Sequence, residues 1–357
     1  MLGSALALGG AEVVVRAVDL DARWLPDLAY YQSVDVAVHQ HAGDGLSYDL
    51  APDARALYRK ADDEPWGSDP RVISINSLGF RDPARTGRRA LRVLAVGGSN
   101  TYGAAVTDGA TWPAQTERAL KGAGVDAEVW NLGVSGYVTR QKLAMARRAL
   151  QHDPDLLLFQ MSNTGPRNVL LTEDLDLLAR YREDPSLWRE SVIACPPEGT
   201  LRYALFRSSA LVRGLALFRD RRARRKPPGV SFQPPSPELD DRAEEQAAAE
   251  FSAFLAELAT THPDVEVALM FPAEGGGAAW LNELALPVLD LHRAEPKPDL
   301  PDAEHIHPGE AVYRWYGDRL AEAIGAACRL DCDWESLELP WVYRADRAPR
   351  DPSDPVD

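Results

Sequence analysis

From residue 91 onward the chain is punctuated by five short apolar runs: "LRVLAV" (91–96), "AEVWNL" (127–132), "DLLLFQM" (155–161), "VEVALMF" (265–271) and "LPVLDL" (286–291). Near-continuous Val- and Leu-rich runs of this length fit strands buried on both faces of a parallel sheet. Helical patterns lie between them. "TWPAQTERALKGAG" (111–124) ends in glycines and "TRQKLAMARRALQ" (139–151) runs into His-Asp-Pro, both stop signals for a helix. Strand–helix alternation predicts a doubly wound α/β domain, whose working residues gather beyond the carboxyl ends of the strands.

The flanks differ. Residues 1–90 lack long periodic segments and are rich in Asp, Pro and Tyr, so an irregular N-terminal extension is expected there. Its first twenty residues, "MLGSALALGGAEVVVRAVDL", form an apolar run broken by Glu12 and Arg16 and too short to span a bilayer. They read either as an amphipathic first helix or as the remnant of a membrane anchor. An insertion at about 165–240 separates the third and fourth strands and holds a helical stretch at 201–218. The six basic residues of "RDRRARRKPPG" (219–229) follow, as a solvated helix end and linker or as a docking patch for an anionic membrane. The expected organisation is an extension (1–90), a catalytic-type domain (91–330) and an extended Asp- and Pro-rich tail (331–357).

Composition narrows the partners. The 54 acidic and 39 basic residues leave a net charge of −15, which argues against nucleic acid. Cys195, Cys328 and Cys332 match no zinc spacing, and both a disulfide outside the cytoplasm and three reduced thiols remain open.

The chemistry centres on "VLAVGGSNTYGAAV" (93–106). Gly98 and Gly103 have the spacing of a phosphate loop, but Ala104 and Ala105 stand where lysine and Ser/Thr are required. The dinucleotide fingerprint is not met, and Thr101 replaces the second glycine of the Gly-x-Ser-x-Gly elbow. What survives is Ser99 at a strand-to-helix junction, either a nucleophile or a purely structural turn. A nucleophilic serine needs a base, an orienting acid and oxyanion donors. His307, ahead of Pro308 and a helical pattern, offers the base, with Glu304 three residues earlier to fix its tautomer. Asp302 and His305 form a second Asp-x-x-His register. Trp112 reads as core.

In these segments the chain resembles the SGNH (GDSL-type) hydrolase superfamily. "GGSNTYG" is similar to the first block, with Ser99 as nucleophile, and "NLGVSGYVT" (131–139) to the second, with Gly136 as oxyanion donor. "FQMSNTG" (159–165) falls where the third block places an asparagine, Asn163, and "EHIHP" (304–308) matches the fifth, with His307 as base. "NSLGFRD" (76–82) resembles a segment ahead of the first strand in bacterial, often envelope-associated, members. Gly98, Thr164 and Glu304 depart from the family pattern.

The resemblance implies a flavodoxin-like three-layer α/β/α domain with a five-stranded parallel sheet. It also implies a serine esterase acting on acyl or acetyl esters of a carbohydrate or lipid through an acyl-enzyme, with no cofactor or metal. An extracytoplasmic or envelope location and a peripheral membrane contact are expected. An O-acyltransferase on the same triad and a non-catalytic binding protein that keeps the fold are the alternatives.

Overall fold

The computed structural model describes residues 2–18, 38–42, 46, 48–58, 67–85, 87–161, 201–212, 214–215, 237–273, 279–298, 307–328, 333–334 and 336–345. The chain divides into two compact units, Met1–Asp35 with Val169–Leu239, and Val36–Asn168 with Asp240–Asp357.

In the first unit, helix α1 (Leu2–Ala17) precedes two short hairpin pairs that belong to the second: β1 (His39–His41) with β2 (Tyr48–Leu50), and β3 (Arg55–Tyr58) with β4 (Arg71–Ser74). The central sheet then begins with β5 (Leu91–Gly97), followed by the single-turn helix α2 (Ser99–Tyr102), α3 (Trp112–Gly122), β6 (Ala127–Gly133), α4 (Thr139–Ala149) and β7 (Leu156–Gln160). Helix α5 (Leu201–Ser208) lies in the inserted unit. Helix α6 (Pro237–Thr261), β8 (Glu266–Phe271), β9 (Pro287–Asp290), α7 (Glu310–Ala327) and β10 (Val342–Arg344) complete the chain.

The sheet order is β10-β9-β8-β7-β5-β6. Strands β5 to β9 are all parallel, so their order is the flavodoxin-like 2-1-3-4-5, which reverses direction between β5 and β7. Every residue of β5, β6 and β7 is buried, as their near-continuous apolar runs require, and the two charged residues within them, Arg92 and Glu128, pair with each other at 2.5 Å. On one face α3 and α7 cover Val93, Ala95, Leu158 and Met270, with Trp112 wholly buried in that core. On the other, Phe159 packs edge-on against Phe251 and Phe254 of α6, ring centroids 5.1 and 5.8 Å away.

The fold class matches the sequence expectation, with two corrections. The sheet has six strands rather than five, because β10 from the segment read as a tail pairs antiparallel with β9. The extension is not wholly irregular either, since it supplies α1 and both hairpins. Cys328, just after α7, is disulfide-bonded, while Cys195 and Cys332 lie outside the described residues.

Candidate active site

Strand β5 ends at Gly97, and Gly98 leads directly into α2, so Ser99 opens a helical turn at the carboxyl edge of the sheet, half-buried. Gly97 is paired with Gly133 across β5 and β6. A side-chain carbon at Gly97 would sit 1.9 Å from Thr101 Oγ1, and one at Gly133 would sit 2.1 Å from the Tyr102 amide nitrogen. The paired glycines therefore let α2 settle onto the strand ends. Thr101 Oγ1 lies 3.3 Å from Gln160 Oε1 at the end of β7, anchoring the turn at the switch point. Gln160 is held from behind as well. The buried Lys142 ammonium donates to its carbonyl at 3.0 Å, and burial pulls that lysine down to about 8.

Beyond β6, residues 134–137 form a turn closed by the Tyr137 N–H on the Val134 carbonyl at 3.2 Å. Gly136 occupies its third position with φ 81°, the type II arrangement that other residues resist. The Tyr48 hydroxyl donates to the Ser135 carbonyl at 2.7 Å, and the Tyr137 hydroxyl returns a 2.7 Å bond to the Tyr48 carbonyl. Because a trans peptide directs its C=O and N–H to opposite sides, pinning the Ser135 oxygen fixes the Gly136 N–H facing away from Tyr48.

The loop after α2 is held by Arg81, whose side chain is 1% exposed. Nη1 donates to the Tyr102 and Gly103 carbonyls at 2.7 and 2.6 Å, and Nη2 to those of Val106 and Val72 at 2.6 and 3.4 Å. Nε meets Asp108 Oδ1 at 3.2 Å, so all five guanidinium N–H groups are engaged. The guanidinium also lies over the Tyr102 ring, 4.8 Å from its centroid. Asn76 shapes the approach, its Oδ1 accepting from the amides of Leu78 and Phe80 at 2.9 and 3.0 Å.

His307, half-buried ahead of α7, reaches this loop through shared neighbours. Glu310, the first residue of α7, accepts from the Ser68 hydroxyl. The same hydroxyl accepts from the Thr107 amide at 2.8 Å, and the Ser68 amide donates to the Ala105 carbonyl at 3.0 Å. Arg71 of β4 donates to the Ala104 carbonyl at 2.5 Å. Burial, and then the charge of Arg71, hold the His307 imidazole below its ordinary range.

Of the residues singled out from sequence, Ser99, Gly136 and His307 thus belong to segments tied to one edge of the sheet. Asn163, Glu304, Asp302 and His305 lie outside the described residues. Among the described residues no group of His, Cys, Asp and Glu could hold a metal ion. Sequence reasoning missed Tyr48, Arg71 and Lys142, which carry no local signature. Arg81 was signalled only by the "NSLGFRD" segment.

No family model matches the chain, and neither does any curated protein sequence. Among solved structures it is similar to AlinE4, an SGNH-hydrolase family esterase, with 18% identity, 68% of this chain and 99% of that one covered, and a TM-score of 0.33. It is similar too to the psychrotrophic esterase EstA from Pseudoalteromonas sp., with 11% identity, coverage of 66% and 97%, and a TM-score of 0.36. A third is the acetyl xylan esterase Est2A from the rumen bacterium Butyrivibrio proteoclasticus, with 10% identity, coverage of 68% and 66%, and a TM-score of 0.34.

Proposed function

We propose that this protein is a serine esterase of the SGNH type that hydrolyses carboxylic esters through an acyl-enzyme. The observation that carries the reading is Ser99 at the opening of α2, on the carboxyl edge of β5, with the Gly136 turn beyond the adjacent strand. Ser99 Oγ attacks the ester carbonyl carbon while the neutral His307 imidazole takes its proton. The tetrahedral oxyanion accepts hydrogen bonds from the Ser99 and Gly136 amides and the Asn163 side chain, and Glu304 orients the imidazole. Collapse expels the alkoxide, which takes the proton back from His307. Water, deprotonated by the same imidazole, then releases the acid. The depressed affinity of His307 for a proton supports this role, since the base must be neutral at working pH. The substrate class in view is an acyl or acetyl ester of a carbohydrate or lipid. The disulfide at Cys328 supports a location in an oxidising compartment, outside the cytoplasm.

A fluorophosphonate probe tests the nucleophile. Wild type becomes covalently labelled, and Ser99→Ala, checked for folding by circular dichroism, does not. Equal labelling of the two removes Ser99 from the mechanism, and a folded wild type that resists the probe points to a binding protein. Product that forms faster with an added alcohol than in water alone identifies an acyltransferase on the same triad.

The pinned peptide makes a second, subtler prediction. Tyr48→Phe deletes one hydroxyl from a wholly buried side chain and leaves the Ser135 carbonyl without its donor. Stability should fall by about 1 kcal/mol, the net worth of one hydrogen bond to a half-buried carbonyl. With Gly136 as oxyanion donor, kcat should fall by about tenfold while KM stays near the wild-type value. Full loss of such a donor costs about 10²–10³. A KM change with kcat intact would take Gly136 out of the oxyanion hole.

A further inference from the structure

Ser99 follows β5, the Gly136 turn follows β6, and Asn163 stands three residues after the end of β7 in the sequence. Their relative placement depends on how these three strand ends are held together. Strand β5 pairs with β7 only as far as Val96 and Phe159, then turns away through Gly98 into α2. On the far side of β7, the Met161 amide donates to the Met270 carbonyl of β8 at 2.9 Å. The Gln160 carbonyl belongs to the same trans peptide and points the opposite way, toward the gap that β5 leaves as it departs. A buried carbonyl needs a donor. Lys142 supplies it, reaching across from α4 to donate its ammonium to that oxygen at 3.0 Å.

The Gln160 side chain continues the connection. Its Oε1 accepts from the Thr101 hydroxyl at 3.3 Å, and Thr101 lies in α2, two residues after Ser99. A side-chain carbon at Gly97 would sit 1.9 Å from Thr101 Oγ1 and 3.0 Å from Gln160 Oε1, so these groups crowd one small space at the start of α2. Helix α4 begins at Thr139, three residues after Gly136, and the Tyr137 carbonyl oxygen lies 3.4 Å from the position of a side-chain carbon at Gly98. Lys142 thus links the segment that carries Gly136 to the end of β7 and, through Gln160, to the turn that opens with Ser99. Stability alone does not account for an ammonium at this place. Lys142 is 3% exposed, and burial pulls its pKa down to about 8. Buried ions are a weak source of stability, and apolar side chains often replace them without loss. A buried polar contact in fixed geometry is better suited to holding one arrangement of strand ends against its alternatives.

We propose that Lys142 is a positioning residue for ester hydrolysis, setting through Gln160 and Thr101 the place at which Ser99 meets the ester carbonyl. This role rests on the esterase reading of Ser99, so it is tested with one readout in hydrolysis and one in the backbone. Lys142→Met keeps the length of the stem and removes the donor, and Thr101→Val removes only the hydroxyl. On the scale at which neighbours in one network couple, the first should lower kcat about tenfold and the second about threefold, with KM near the wild-type value. Because both changes break one connection, the double variant should lose no more than Lys142→Met alone. Losses that multiply in the double variant overturn the proposal. So does a lower melting temperature in Lys142→Met with kcat intact, which assigns the lysine to the fold alone. Deuterium exchange of the full-length protein gives the second readout. Uptake at the Tyr102, Gly103 and Ala104 amides, which bond to the Gly98 and Ser99 carbonyls, should rise in Lys142→Met while α3 exchanges as in wild type. Unchanged uptake in that turn overturns the proposal whether or not the protein cleaves esters. A wild type that neither hydrolyses esters nor takes the fluorophosphonate removes the esterase reading, and uptake in the turn then still supports or overturns the hold of Lys142 on Ser99. Lys142→Gln, which leaves a polar group in the same space, is read in the same way if the methionine variant does not fold.

Discussion

His307→Ala is expected to lower kcat/KM for a simple aryl ester by a factor on the order of 10⁴–10⁶, with the fold intact by circular dichroism. A serine hydroxyl is a poor nucleophile at neutral pH, and residues that act as a unit lose nearly everything when one is removed. The residual rate would come from binding and oxyanion donors alone. The pH dependence of the wild type gives an independent readout. Because burial and Arg71 disfavour the imidazolium, the neutral base persists to lower pH, and the acid limb of kcat/KM should fall below the ordinary histidine range. Removing the cation with Arg71→Met relieves part of that penalty, so the limb should move up in pH while the neutral plateau changes little. Arg71→Lys retains a charge and should restore the limb. An unshifted profile in Arg71→Met would mean that a group other than His307 is the base. Near-wild-type activity in His307→Ala, with activity lost in His305→Ala, would transfer the role to the Asp302–His305 register.

The sheet was legible because burial on both faces makes β5, β6 and β7 nearly continuous apolar runs, a signal that needs no knowledge of partners. Helices α3 and α4 were equally plain, since Thr111 with Pro113 and the closing glycines mark one, and Thr139 opens the other. The Val342–Arg344 strand was not, because three residues in an Asp- and Pro-rich stretch become a strand only when β9 offers its free edge. Ser99, Gly136 and His307 stood out because glycine turns and a His-Pro step have local signatures. Tyr48 acts on a residue 87 positions away, so nothing near it in sequence announces the bond. The same holds for Arg71, which acts on Ala104 and on His307 from a short hairpin that lacks periodic patterning. Irregular composition was read as irregular structure, whereas these residues instead spend their polar groups on tying the loops of the sheet edge together.

Arg81→Ala is expected to give the second largest loss, about 10² in kcat with KM little changed. Its guanidinium spans four carbonyls and the Asp108 carboxylate, three of those carbonyls lying within the eight residues that follow Ser99. Alanine takes the Arg81 donor from the buried Tyr102 and Val106 carbonyls, while Gly103 and Val72 keep the Val106 and Asp108 amides at 3.1 and 2.9 Å. Breaking a buried charged network costs about 3–5 kcal/mol, so the melting temperature should fall as well. Displacing a reacting group by about 1 Å is enough to cost about 10² in rate. Arg81→Lys separates positioning from bulk stability. A lysine keeps the charge and stem but offers three donors without the planar fork, so it cannot hold the Tyr102, Gly103 and Val106 carbonyls together with Asp108. Stability should recover more than kcat does, and labelling by the fluorophosphonate should stay slow in step with kcat. If Arg81→Lys regains rate and stability to the same degree, the side chain serves the fold alone. If it regains stability first, the loop it grips is what aims Ser99.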